Sequence, residues 1–151
     1  MSQSLSQIYL HVVFSTKERR PFLQNRDCRE AVHKCLAKTS NDAGCPCLEV
    51  GGVEDHVHVL VRLSKTVTAA DLVKELKRAT SAWVKDEFPG MKDFYWQAGY
   101  GVFSVSPSHI DDLREYIRGQ ERHHHTESFQ EEFRRLLTKY GIEFDERYVW
   151  D

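Results

Sequence analysis

The order in which apolar periodicity changes along this chain narrows its fold more than any other feature. "IYLHVVFST" (8–16) is rich in β-branched and aromatic residues and predicts a strand. The next segment, "PFLQNRDCREAVHKCLAKTSNDAG", puts Cys28, Ala31, Val32, Cys35 and Leu36 on one helical stripe, with Asn25 as N-cap and Gly44 as the stop. "CPCLEVGGV" (45–53) and "HVHVLVRL" (56–63) predict two strands joined by a tight turn at Glu54 and Asp55, a hairpin. Thr68 caps a second helix, in which Ala69, Leu72, Val73, Leu76, Ala79, Thr80, Trp83 and Val84 repeat at i, i+3, i+4 until Phe88-Pro89-Gly90 ends it. "YGVFSV" (100–105) predicts a fourth strand. The order β-α-β-β-α-β is the ferredoxin-like, split βαβ arrangement, an α+β fold with a four-stranded antiparallel sheet and two helices on one face. At 151 residues one domain, 1–151, is expected, with a core that needs no staples.

Beyond the fourth strand a helix is predicted from about Ser108 to His124 on the stripe Ile110, Leu113, Ile117. A last amphipathic helix carries Phe129, Phe133, Leu136, Leu137 and Tyr140 before Gly141. The tail "IEFDERYVWD" is too apolar for a free end. With two helices on one face of the sheet, the other face is expected to stay available.

Against this frame, "EDHVHVLV" is anomalous. Alternate side chains of a strand share a face, so His56 and His58 converge while Val57, Val59 and Val61 point the other way. The valines suit the covered face, which puts the imidazoles on the available one, outside the core. A core has little use for two imidazoles, each needing partners, whereas a metal ion needs convergent nitrogen donors. On the helix after the fourth strand, Tyr116 and Gln120 lie one turn apart and border the apolar stripe. If that helix rests near the histidines, Gln120 gives an oxygen ligand and Tyr116 is brought alongside. Two nitrogens, one amide oxygen and open positions suit Mg2+ or Mn2+ shared with a substrate phosphate. A tyrosine beside such an ion points to nucleophilic attack on a phosphodiester, leaving a 5′-phosphotyrosine and a free 3′-hydroxyl. Taken singly, a packed Tyr116 and a solvated Gln120 account for the same two residues.

A net charge of −2 gives no global attraction for nucleic acid, so phosphate contacts must be local. Two basic clusters qualify: Lys17, Arg19 and Arg20 after the first strand, and Lys74, Arg78 and Lys85 with Ser81 on a stripe of the second helix. Phe94, Tyr95 and Trp96 suit base stacking or the core equally. His123, His124 and His125 are expected as an exposed helix-end cluster, with His124 one turn beyond Gln120. Cys28 and Cys35 fit the core, and the C-x-C of Cys45 and Cys47 lacks the second pair a zinc site requires. The N-terminal apolar run is too short to span a bilayer and lacks a charged start with a cleavage site, so a cytoplasmic protein is expected.

"GGVEDHVHVLV", "FYWQAGYGVFSVSPS", "YIRGQERHH" and "FQEEFRRLLTKYGIEFDERYVW" occur in the order and approximate spacing of a known group. From "LHVVFSTKERRPFL" onward the chain resembles the single-tyrosine HUH (His-hydrophobic-His) transposases of insertion sequences, including their REP-associated relatives. A lone H-x-H is common, but one followed about sixty residues later by a helical Tyr-x-x-x-Gln is specific. The resemblance implies that His56, His58 and Gln120 bind a divalent metal and that Tyr116 cleaves single-stranded DNA. It further implies a homodimer that recognises hairpins at element ends and sets one subunit's tyrosine helix against the other's histidines. Two alternatives stay open: a non-catalytic single-strand-binding module on the same sheet, and a metal-dependent hydrolase in which water attacks.

Overall fold

A computed structural model describes residues 2–151. Four strands, β1 (Tyr9–Ser15), β2 (Cys47–Gly52), β3 (His56–Arg62) and β4 (Gly101–Val105), form one sheet in the order β2-β3-β1-β4, every pair antiparallel. Helices α1 (Arg26–Asp42) and α2 (Ala69–Glu87) connect them as the split βαβ order requires. Both begin where the sequence signals them: Asn25 Oδ1 accepts from the Cys28 amide at 2.9 Å and Thr68 Oγ1 from the Asp71 amide at 3.1 Å. Gly44, at φ +79°, ends the first in the left-handed conformation that glycine adopts without strain.

One face of the sheet packs Leu10, Val12, Phe14, Val57, Val59 and Val61 beneath Val32 and Leu36 of α1 and Leu72, Val73 and Leu76 of α2. Phe94 and Trp96 belong to this core, and of the aromatic loop only Tyr95 is exposed. All four cysteines are free, and Cys45 Sγ accepts from the Ser64 amide at 3.3 Å.

The opposite face departs from expectation. It is covered by α3 (Ile110–Arg118), α4 (Gln120–His123) and α5 (Phe129–Lys139), with a second core of Val13, Phe103, Phe129, Phe133, Leu136 and Leu137. Each such side chain gains about 1.5–3 kcal/mol by burial, ample to hold α5 on the sheet. The tail returns Val149 and Trp150 to this layer, as its apolar content suggests. His56 and His58 are therefore fully buried and part of the interior, not on an available face. The single helix predicted over 108–124 is divided at Gly119 into α3 and α4. Among the described residues no helix is long and apolar enough to cross a membrane.

Candidate active site

Strand β3 starts at His56 and sets both imidazoles on the inner side of the second core. Each is fixed through its far nitrogen: His56 Nδ1 lies 2.7 Å from Asp55 Oδ1, and His58 Nδ1 lies 2.7 Å from Nε2 of His11 on β1. Such outer contacts fix ring orientation and leave Nε2 to face a common point. That point holds Glu132 of α5, whose Oε1 is 2.9 Å from His58 Nε2 and 3.2 Å from His56 Nε2.

Tyr116 reaches the same point because α3 lies directly against β2. Gly51 makes this possible, since a Cβ there would run into the Ile117 carbonyl and stand 2.8 Å from its Cγ2. The Tyr116 ring sits edge-on to His58 at 5.8 Å, and its hydroxyl donates to Glu132 Oε2. Arg135 Nη2 donates to the same hydroxyl at 3.0 Å. Gln120, buried in α4, places Oε1 3.2 Å from His56 Nε2 and donates from Nε2 to Glu132 Oε2 at 3.2 Å. Its neighbour Glu121 ties α4 to α1 through Arg26 and Arg29, both at 2.6 Å. His56, His58, Tyr116 and Gln120 thus meet around one point of the chain.

The electrostatics follow from burial and neighbours. Burial opposes charge on His56, but Asp55 and Glu132 overcome it and raise its pKa to about 9. Burial keeps His58 below the usual histidine range despite Glu132. Burial would raise the Glu132 pKa, yet His58, His124 and His56 hold the carboxyl well below the carboxylate range. Burial, then Glu132, push the Tyr116 phenol well above its ordinary value, and Arg135 opposes them.

Glu132 was not legible as a site residue from chemistry alone, since "QEEF" reads as a solvated acidic turn. A signal exists: Glu132 stands three residues after Phe129 and four before Leu136, inside the apolar stripe, where an acid has no place without partners. His124 is the second addition. Expected as part of an exposed cluster, it instead turns Nε2 to 3.2 Å from Glu132 Oε1, and its ring stacks edge-on to His56 at 4.5 Å. That nitrogen is buried and aligned with no hydrogen-bond partner. The ligand atoms of His56, His58, His124 and Glu132 all lie within 4.8 Å of one another. Three imidazoles, one of them presenting that unpartnered nitrogen, and a carboxylate fit a divalent transition metal.

The basic residues do not gather at this point. The 3-10 turn Lys17–Arg19 directly follows β1, whose Ser15 pairs with His56, so Lys17, Arg19 and Arg20 share that end of the sheet. Lys74 and Arg78 ride on α2, across the sheet from the imidazoles, and Arg78 is engaged by Glu75 at 2.6 Å. Lys85, near the end of α2, lies 3.9 Å from the Tyr95 ring centroid.

Comparison with known proteins gives the family. The family model described as "Transposase IS200 like" matches residues 4–120, and the chain belongs to that family. The transposase for insertion sequence element IS200 of Salmonella typhimurium is 27% identical over 115 residues, covering 73% of this chain and 74% of its own. The IS200 transposase of Salmonella typhi shows the same identity and coverage. Among solved structures, a Deinococcus radiodurans r1 chain assigned as a transposase superposes with a TM-score of 0.65 at 23% identity, over 80% of this chain and 98% of that one. A REP-associated tyrosine transposase bound to a REP hairpin superposes with a TM-score of 0.59 at 15% identity, over 82% of this chain and 74% of that one. These two likenesses support the four-stranded α+β fold.

Proposed function

We propose that this transposase cuts and rejoins single-stranded DNA at insertion-element ends through a covalent 5′-phosphotyrosine on Tyr116, with His56, His58 and Gln120 holding Mg2+ or Mn2+. The observation that carries the reading is the meeting of the Tyr116 hydroxyl, both Nε2 atoms and the Gln120 amide around one buried point. A divalent ion bound there withdraws charge from the scissile phosphate. The chain's own part is positional. Tyr116 is the nucleophile: its Oη–phosphorus bond forms as the phosphorus–O3′ bond breaks, which conserves the bond for rejoining. Arg135, 3.0 Å from that oxygen, stabilises the charge that develops on it. His11 and Asp55 keep the two imidazoles oriented. Element ends that fold as hairpins are the natural substrate, in keeping with the hairpin held by the REP-associated structure.

The test is incubation of labelled single-stranded DNA with Mn2+, followed by a denaturing gel. The wild-type chain is expected to form a protein–DNA adduct, and Tyr116→Phe, which removes one oxygen and little volume, to form none. Variants at Tyr100 or Tyr148 should keep it. An adduct that persists in Tyr116→Phe overturns the assignment, and cutting without any adduct in the wild type favours attack by water.

A further inference from the structure

Glu132 is fully buried, and its partners are chiefly imidazole nitrogens whose other roles are already assigned. An ionised carboxylate is costly to bury without compensating charge. Its two oxygens are divided between tasks. Oε1 lies within 3.2 Å of the Nε2 atoms of His56, His58 and His124, while Oε2 accepts from the Tyr116 hydroxyl and, at 3.2 Å, from Gln120 Nε2. Among the described residues no other side chain makes polar contacts with both imidazoles of the pair and the nucleophile. Glu132 lies beyond residues 4–120, so the family match does not include it.

We propose that Glu132 is a ligand of the divalent ion, bridging the ion through Oε1 to Tyr116 through Oε2, with His124 as a further nitrogen donor. The proposal rests on the metal-assisted reading above and extends its ligand set. Two consequences follow from donor chemistry. A carboxylate offsets the ion's charge in a buried place where imidazoles and an amide, all neutral, do not. Three imidazoles with one carboxylate also shift preference from Mg2+ toward Mn2+ and other transition ions. Because one carboxylate reaches both the imidazole nitrogens and the Tyr116 hydroxyl, α5 would be part of the active site as well as its cover. The Ser128–Glu131 capping box and the Phe129 and Phe133 contacts fix the start of α5, and with it Glu132.

The deciding measurement is Mn2+ affinity of the purified chain without DNA, by electron paramagnetic resonance or calorimetry. Glu132→Gln keeps the shape, removes the charge, and is expected to weaken Mn2+ binding at least tenfold. His124→Gln should weaken it by a smaller factor. Tyr116→Phe, which removes the other end of the bridge, should bind Mn2+ within twofold of wild type. Equal affinity in Glu132→Gln and wild type overturns the proposal. Should Glu132→Gln not fold, Glu132→Asp carries the test, since it keeps the buried charge but withdraws the carboxylate by one methylene. Several-fold weaker Mn2+ binding supports ligation, and an unchanged Kd overturns it. The two readings fail separately. A wild-type chain that forms the DNA adduct while Glu132→Gln binds Mn2+ normally sinks only the Glu132 role, whereas tight, Glu132-dependent Mn2+ binding without any adduct sinks the phosphotyrosine reading alone.

Discussion

His33 on α1 buries Nε2 without a hydrogen-bond partner. Burial first, then the Arg29 guanidinium, pull its pKa down to about 4, while Glu121 opposes them. In the unfolded chain the imidazole titrates near 6.5. Between those values the unfolded state binds more protons, so stability rises with pH there and is lost as pH falls from about 6.5 toward 4. At pH 5 the loss is about 2 kcal/mol, from one pKa unit being worth about 1.4 kcal/mol. Urea unfolding should therefore show His33→Met gaining on wild type at pH 5 relative to pH 8, and an identical difference at both values would contradict it. Single residues differ in how legible they are. His56 and His58 declare themselves because a period of two puts both on one face whatever covers it. Their burial does not, because it depends on α5, which is distant in sequence. Glu132 shows in the sequence only as an acid inside the apolar stripe, unlike its exposed neighbour Glu131; its partners come from the tertiary contact with β3.

At the scale of elements, α3 owes its position to a missing side chain. The strands, both capped helices and the hairpin turn were readable, since each rests on local periodicity and turn chemistry. The break at Gly119 was not, because the apolar stripe alone continues through it; the change of direction comes from α4 docking on α1 through Glu121. Nor did the paired glycines of "EVGGV" announce that a helix backbone would lie on the first of them. Gly51→Ala places a methyl group against the Ile117 carbonyl, so α3 must lift from β2 and Tyr116 with it. Overpacking of this kind costs about 1–3 kcal/mol. The expected outcome is a lower urea midpoint and a DNA adduct reduced well beyond the loss of folded protein. Gly119→Ala is the control: its Cβ would stand 3.4 Å from the nearest atom, Glu115 O, an ordinary contact, at a φ of −87° that alanine adopts without strain. It should be neutral or stabilising, and near-equal behaviour of the two variants would mean that α3 does not rest on β2 as described.

For the whole molecule, a net charge of −2 means that DNA must be drawn by a region rather than by the protein at large. The fold regroups the basic residues, bringing Lys85 of the second cluster beside Lys17 of the first and leaving Lys74 and Arg78 elsewhere. Lys74 and Arg78 face away behind α2, in the layer that packs against Val57 and Val59. The turn Lys17–Arg19 stands at the end of the sheet where β3 begins, with the Thr16 amide bonded to the Asp55 carbonyl at 2.8 Å. Glu18 and Arg19 both hold left-handed conformations, at φ 56° and 57°, which cost of order 1–3 kcal/mol each in a non-glycine residue. Within the cluster the charges are not equally available: Arg20 is paired with Asp93 at 2.9 Å, and Arg19 lies over the Trp150 ring at 5.6 Å. Lys17 and Lys85 instead flank Tyr95, at 5.8 Å and 3.9 Å from its ring centroid, and that ring is 53% exposed. Two cations around an open aromatic face have the chemistry of a stacking platform, on which a base would lie while its phosphates are neutralised. Each phosphate contact on a single strand adds about 0.7 to the slope of log affinity against log salt. The double variant Lys17→Gln with Lys85→Gln should therefore flatten that slope by roughly 1.4, two contacts at that value, and weaken binding most at low salt. Lys74→Gln with Arg78→Gln should leave both slope and affinity near wild type. Fluorescence anisotropy of a labelled single strand across a salt series measures both, and a larger effect from the α2 pair would move the DNA path to the opposite side of the sheet.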